Sequence, residues 1–136
     1  MATRSRIGIE LEDGSVLSVY CHWDGYISNN GKILLECYDR DKTLDLVKLG
    51  DISSLGDQVD PTGPHSFESP QHGVTVAYHR DRGESLNHRT NKSVEDFFKS
   101  DYEEYGYVLG LDGRWLVAWH GRSPLDLERD VRHEIQ

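Results

Sequence analysis

Three histidines stand beside aromatic residues where stretches with β-strand composition end. The segments are Tyr20-Cys21-His22-Trp23-Asp24-Gly25, Tyr78-His79-Arg80-Asp81 and Trp119-His120-Gly121. If the three strands end at one edge of a sheet, His22, His79 and His120 converge there with Asp24 or Asp81. Three imidazoles, or two imidazoles and a carboxylate, are the ligands of catalytic zinc and non-haem iron. The same groups could perform acid–base catalysis near neutral pH.

A simpler interpretation gives these histidines no shared role. Each imidazole would then be a polar tip at a strand end, bonded to the backbone beside its aromatic neighbour. The spacing matches no compact metal motif such as HExxH, so convergence depends entirely on the topology. The sequence favours this simpler interpretation, and it predicts no cofactor and no bound metal.

Other catalytic motifs fail on spacing. The glycine pair Gly25 and Gly31 before Lys32 has five intervening residues instead of four, and Ile33 stands where a phosphate loop needs Ser or Thr. Cys21 and His22 are strand neighbours, so their side chains point to opposite faces and cannot form a nucleophilic dyad directly.

Acidic and aromatic residues alternate most densely over positions 95–105, which the pattern predicts to be helical. Two interpretations remain: a solvated helix face with its aromatic residues in the core, or a surface that binds a basic partner. In the second interpretation the contact residues are Glu95, Asp96, Asp101, Tyr102, Glu103 and Glu104.

The composition of the chain argues against two classes of function, nucleic-acid binding and membrane association. The 136 residues include 15 Lys and Arg against 24 Asp and Glu, a net charge of −9, which argues against direct binding of nucleic-acid phosphates over a broad surface. No apolar run reaches the roughly 18 residues of a membrane span, so no membrane association is expected. Residues 1–6 lack the apolar core of a signal peptide, which predicts an intracellular protein with Cys21 and Cys37 as free thiols.

Hydrophobic periodicity predicts an α+β fold in a single domain over residues 1–136. The predicted sheet has about five mainly antiparallel strands, formed by two hairpins and one further strand, with helices packed on it. In the first hairpin, Glu12-Asp13-Gly14 forms a three-residue loop that places Ile7 opposite Val19 and Ile9 opposite Leu17. Asp112-Gly113 marks the second hairpin, between 107–111 and 114–120.

The remaining segments are assigned from local signals. A helix is predicted over 29–40 and a second, short one over 44–49 that ends at Gly50, followed by a long Pro- and Gly-containing loop at about 51–73. Residues 74–79 form the lone strand, and 80–92 an exposed loop. Ser93 begins a helix through a Ser-x-x-Asp start, and 124–134 form a short C-terminal helix.

The first 56 residues resemble a family of small proteins encoded by tailed bacteriophages. The resemblance rests on Thr3–Glu10, Asp13–Val16, the run YCHWDGY at 20–26, and Leu49–Gly56. It implies a viral accessory protein in the host bacterial cytoplasm. Such a protein would bind and modulate or inhibit a host or defence-system protein, in competition with nucleic acid where the partner's groove is basic. The resemblance assigns no catalytic or binding residue.

Overall fold

The computed structural model describes residues 2–100 and 102–135, which form an α+β fold with eight strands in one mixed sheet and five α-helices. The strands are Ser5–Glu10 (β1), Val16–Cys21 (β2), Ile52–Ser54 (β3), Val76–Ala77 (β4), Arg89–Asn91 (β5), Tyr105–Leu109 (β6), Trp115–Trp119 (β7) and Leu125–Asp126 (β8). The helices are Lys32–Cys37 (α1), Arg40–Lys48 (α2), Tyr78–Arg82 (α3), Val94–Ser100 (α4) and Leu127–Val131 (α5); Ile27–Gly31 is π-helical and Arg132–Glu134 is a 3-10 turn. Among the helices of the described residues, none combines the length and apolar character that a bilayer crossing requires.

The first hairpin has the predicted register. Ile7 pairs with Val19 and Ile9 with Leu17, and the Leu11 N–H donates to the Ser15 carbonyl at 2.7 Å. Gly14 closes the loop at φ +88°, a left-handed conformation that glycine adopts without steric penalty. The second hairpin, β6 to β7, uses the same three-residue loop: the Gly110 N–H donates to the Arg114 carbonyl at 2.9 Å. Local turn chemistry therefore sets both registers.

The sheet is larger and more mixed than predicted. Its order is β4-β3-β2-β1-β6-β7-β8, with β5 also paired to β2. β1 runs parallel to β6 and β2 parallel to β3, whereas the other strand pairs are antiparallel. β3 and β5 have three residues each and lie in polar segments predicted to be loops, at 51–73 and 80–92. Such short strands form because neighbouring strands supply their hydrogen bonds, so they leave little periodic signal in the sequence.

Helices cover both faces of the sheet. On one face, α1, α2 and α5 bury Leu34, Leu46 and Leu127 against Ile7 and Val117. On the other face, Phe97 and Phe98 of α4 form a smaller apolar cluster with Val16, Val108 and Ala118 of the sheet. Each fully buried apolar side chain contributes about 1.5–3 kcal/mol relative to exposure. Because side chains alternate along a strand, β6 and β7 contribute to both clusters.

Two helix boundaries differ from the prediction because of a single cap. Asp39 has extended backbone, and its side chain accepts the N–H of Lys42 at 2.9 Å. This N-cap begins α2 at Arg40, so the helix predicted over 29–40 is divided and the one predicted over 44–49 starts earlier. By contrast, the Ser93 start of α4 is confirmed, since the Ser93 hydroxyl accepts the N–H of Asp96 at 3.0 Å.

Two further segments that carry candidate site residues also differ. The strand predicted over 74–79 is reduced to Val76–Ala77, because α3 begins at Tyr78, and His79 is therefore helical. The helix predicted through 105 ends at Ser100, and residues 102–104 form a bend that leads into β6.

Candidate functional site

Four chain segments, three of which contain predicted site residues, meet at one edge of the sheet. β1 and β6 are parallel and each is antiparallel to its hairpin partner, so β1 and β6 begin where β2 and β7 end. The pairing runs from Cys21 to Ser5, from Ser5 to Tyr105 and from Tyr105 to Trp119. Residues 3–4, 22–26, 102–104 and 120–121 adjoin this row, and we call them the rim.

The topology does not bring the three histidines into one site. His22 and His120 both lie on the rim, but β1 and β6 lie between the two strands that they follow, β2 and β7. At the usual spacing between neighbouring strands, β2 and β7 are about 14 Å apart. His79 lies on α3, which follows β4, and β3 lies between β4 and the β2 strand that precedes His22. No group of three or more His, Cys, Asp or Glu side chains in residues 2–100 and 102–135 could hold a metal ion.

Each histidine instead has its own local partners. His22 Nδ1 lies 2.7 Å from the Tyr20 hydroxyl, and the His22 ring contacts Trp23 edge to face at 4.7 Å between centroids. His79 Nδ1–H donates to the Glu84 carbonyl at 2.7 Å. The exposed ring of His120 lies 6.5 Å from that of Tyr105.

Cys21 is unsuited to nucleophilic chemistry. Its side chain is fully buried, 3.4 Å from Asn30 Nδ2, and burial raises the pKa of its thiol to about 11. A thiol with so high a pKa is almost entirely protonated at neutral pH. Cys37 is half-buried, and both cysteines are free.

The two glutamates of the acidic segment that lie on the rim are paired inside the molecule. Glu103 Oε1 lies 3.6 Å from Nε of Arg6, whose side chain is only 6% exposed. Glu104 accepts the backbone N–H of Arg4 at 3.2 Å and pairs with its guanidinium at 3.6 Å. Their charges therefore join the start of β1 to the start of β6, which reduces what they can offer a partner.

The other predicted residues of the acidic segment differ in their exposure and contacts. Glu95 is exposed on α4, whereas Asp96 accepts a hydrogen bond from Asn91 Nδ2 at 3.3 Å. Tyr102 packs against the rings of Phe97 and Phe98, as expected for an aromatic residue that faces the core. Asp101 lies outside the described residues.

A cleft of about 320 Å³ opens on the rim beside α4. Four predicted residues line it, and the full lining is Lys99, Tyr102, Glu103, Glu104, His120 and Gly121. It adjoins a groove of about 460 Å³ that shares Lys99 and Gly121 and is lined further by Val94, Glu95, Phe98, Arg122, Ser123 and Pro124. The two adjoining depressions lie between α4 and the turn after β7, and we call them the channel.

The sequence analysis missed a buried cluster around Asp81. His65 Nε2 lies 3.0 Å from Asp81 Oδ2, and both side chains are at most 5% exposed. Arg80 donates to both Asp81 oxygens, and also to the carbonyls of Val59 and Thr75. Burial would raise the pKa of Asp81, but the hydrogen bonds from Arg80 and from the Ala77 N–H outweigh it and hold the pKa below its ordinary 3.8.

This cluster is structural, although a His–Asp pair is a common catalytic unit. The Gln71 backbone N–H donates to His65 Nδ1 at 3.0 Å, so both ring nitrogens face protein groups. The contacts tie the loop that follows β3 to α3. No local signal in the sequence links His65 in the loop to Asp81 in the helix, which is why the pair could not be predicted.

Comparisons with known proteins identify no relative of this chain. No family model, no curated protein and no solved structure matches the chain significantly. Inferences about its function therefore depend on its own residues.

Proposed function

We propose that the protein is a binding module for a basic partner protein, and that the rim and the adjoining channel along α4 contact that partner. The observation that carries the proposal is the cleft lined by Tyr102, Glu103, Glu104 and His120. These residues come from two separate sequence predictions, the acidic segment and the strand-end histidines. The extension of the cleft over Val94 and Phe98 offers apolar area, and its charged lining residues are Glu95, Lys99 and Arg122. The apolar area suits apolar side chains of a partner, and the net charge of −9 on the whole chain favours a partner with a basic surface.

Binding fits the described residues better than catalysis does. The catalytic alternative needs His22, His79 and His120 in contact, whereas His22 and His120 follow strands that are separated by two others, and His79 lies on α3. The most buried acid–base pair, His65 with Asp81, is enclosed by its own loop. We therefore do not propose an enzymatic reaction.

The biological setting of the proposal comes from the resemblance of the first 56 residues to tailed-bacteriophage proteins. In that setting the partner is a host or defence-system protein in the bacterial cytoplasm, and binding modulates or inhibits it. The net charge of −9 supports competition with nucleic acid, because the surface carries the same sign of charge as phosphate.

Affinity purification from bacteria that express the tagged protein tests the proposal. We expect a stoichiometric partner that dissociates as the salt concentration rises, because exposed charges are screened. Glu95→Lys, in the wall of the channel, should reduce recovery at least tenfold. Glu12→Lys is the matched control, since it makes the same charge change in the exposed loop of the first hairpin, at the opposite edge of the sheet.

Two outcomes count against the proposal. One is that no protein is enriched over a tag-only control at any salt concentration. The other is an equal loss of partner with Glu95→Lys and Glu12→Lys, which would indicate attraction by net charge without a defined surface.

A further inference from the structure

Two large aromatic side chains on the rim remain exposed. Trp23 is 43% exposed and Tyr26 is 39% exposed, whereas every other aromatic side chain whose burial the structure describes, apart from histidines, is buried or half-buried. Both lie in the loop after β2, and Asp24 lies between them in the sequence. Exposed Trp and Tyr are the residues most enriched among those that dominate binding energy at protein interfaces.

The backbone that carries these rings is fixed by hydrogen bonds at almost every residue. The Trp23 N–H donates to the Ser53 carbonyl at 3.0 Å, and the Gly25 N–H donates to the Thr3 carbonyl at 2.8 Å. The buried Tyr107 hydroxyl donates to the Gly25 carbonyl at 2.6 Å. The loop is thus held from β3, from the segment before β1 and from β6.

Two more features restrict the loop. Asp24 has φ +57°, and Asn29 Nδ2 donates to its carbonyl at 3.2 Å. Gly25 lies so close to β1 that an added Cβ would come within 2.6 Å of the Ser5 Cβ. A loop already held in one conformation loses little entropy when it binds, so its exposed rings contribute more of their contact energy to affinity.

The side chains of this loop favour a guanidinium over an ammonium group. The Asp24 side chain is exposed, and among the described residues no group forms an ion pair or hydrogen bond with its carboxylate. A guanidinium can stack on an aromatic face and at the same time pair with a carboxylate, whereas an ammonium acts as a hydrated point charge.

We infer that the loop 22–26 is the contact surface for an arginine-bearing segment of the partner, with Trp23 and Tyr26 as the aromatic surface and Asp24 as the counter-charge. The inference rests on the proposed function and specifies the chemistry of the partner. It also places a second contact on the rim, three strands away from the cleft at His120.

Titration of the ¹⁵N-labelled protein with hexa-arginine tests the inference through the indole N–H signals. Trp23 is exposed, whereas Trp115 is buried and donates its indole N–H to the Tyr38 carbonyl at 3.2 Å, so Trp115 is an internal reference. We expect the Trp23 signal, assigned with Trp23→Phe, to shift saturably and the Trp115 signal to stay in place. Hexa-lysine should bind at least threefold more weakly.

Variants distinguish binding at the loop from general electrostatic attraction of hexa-arginine to the acidic protein. Trp23→Ala should weaken hexa-arginine binding at least fivefold, and Leu111→Ala, which truncates a side chain 47% exposed in the loop of the second hairpin, should change it less than twofold. Asp24→Asn should weaken binding at least twofold more than Glu12→Gln does, and Asn tolerates the left-handed backbone that Asp24 adopts. Thermal unfolding of each variant checks that the fold is retained.

An unmoved Trp23 signal overturns the inference, as does equal affinity for hexa-arginine and hexa-lysine. Shifts confined to the cleft residues Lys99, Tyr102 and His120 also overturn it while leaving the proposed function standing. If hexa-arginine does not bind and no partner is recovered, both fail.

Discussion

The guanidinium of Arg6 lies 3.6 Å from the carboxylate of Glu103, so a buried cation at the start of β1 is neutralised by the segment that leads into β6. Arg6 also donates to the Ser18 hydroxyl at 3.2 Å, which extends the contact to β2. Arg6 of β1 therefore contacts both β2 and the segment before β6, on the face of the sheet that α4 covers.

Glu103→Gln should destabilise the protein by about 2 kcal/mol, because it removes the negative charge of Glu103 from beside the buried guanidinium of Arg6. Glu104→Gln is the control: its pair with Arg4 has side chains 50% and 42% exposed, so we expect a loss of at most about 0.5 kcal/mol. Urea denaturation measures both values. A loss for Glu103→Gln no larger than that for Glu104→Gln would show that the buried pair adds nothing.

Asp81→Asn should cost about 2 kcal/mol and alter the dependence of stability on pH, because Arg80 loses its buried counter-charge beside His65 and keeps only the exposed Asp60. The pKa of Asp81 in the folded protein lies below its ordinary value of 3.8, which we take for the unfolded chain. Its contribution is therefore complete above the unfolded pKa and is lost as the pH falls through the folded pKa. The wild-type protein should thus lose more stability than Asp81→Asn between pH 5 and pH 2 in urea titrations; parallel curves would contradict this.

Gly25→Ala should destabilise the protein by about 2 kcal/mol, because the new methyl group would overlap Ser5. Ser5→Gly removes the Cβ that it meets, so the double variant should be at least about 1 kcal/mol more stable than the sum of the single losses predicts. Chemical denaturation of the four proteins completes the cycle. Strict additivity would mean that the close approach of Gly25 to β1 does not limit this position.

The two thiols should differ in reactivity. Cys21 is buried with a pKa of about 11, so a disulfide reagent at pH 8 should label it at least about 100-fold more slowly than half-buried Cys37. Cys37→Ser should remove the fast phase, and in denaturant both thiols should react. A fast phase that persists in Cys37→Ser would contradict the burial of Cys21.

Turn and cap chemistry explains which parts of the fold were predictable. The loop ending in Gly14 and the cap at Ser93 act between residues close in sequence, and both were predicted correctly. The parallel pairing of β1 with β6 joins distant segments, and the strand Arg89–Asn91 exists only because β2 pairs with it. Neither leaves a periodic pattern to detect.

The candidate site was predictable in residue types but not in arrangement. The run YCHWDGY was conspicuous as a string, yet only the structure shows that Trp23 and Tyr26 are exposed while Cys21 is buried. The charges of Glu103 and Glu104 were visible in the sequence, whereas their arginine partners depend on the placement of β1 beside β6.

The position of β1 between β2 and β6 has a consequence for the order of folding during synthesis. The hairpin of β1 and β2 can form as soon as both strands have left the ribosome, but the second edge of β1 has no partner until Tyr105–Leu109 follows. Until then, a strand with Ile7 and Ile9 presents unpaired backbone groups, the kind of edge that recruits other chains. The rim can assemble only after β6 has paired with that edge and β7 has paired with β6.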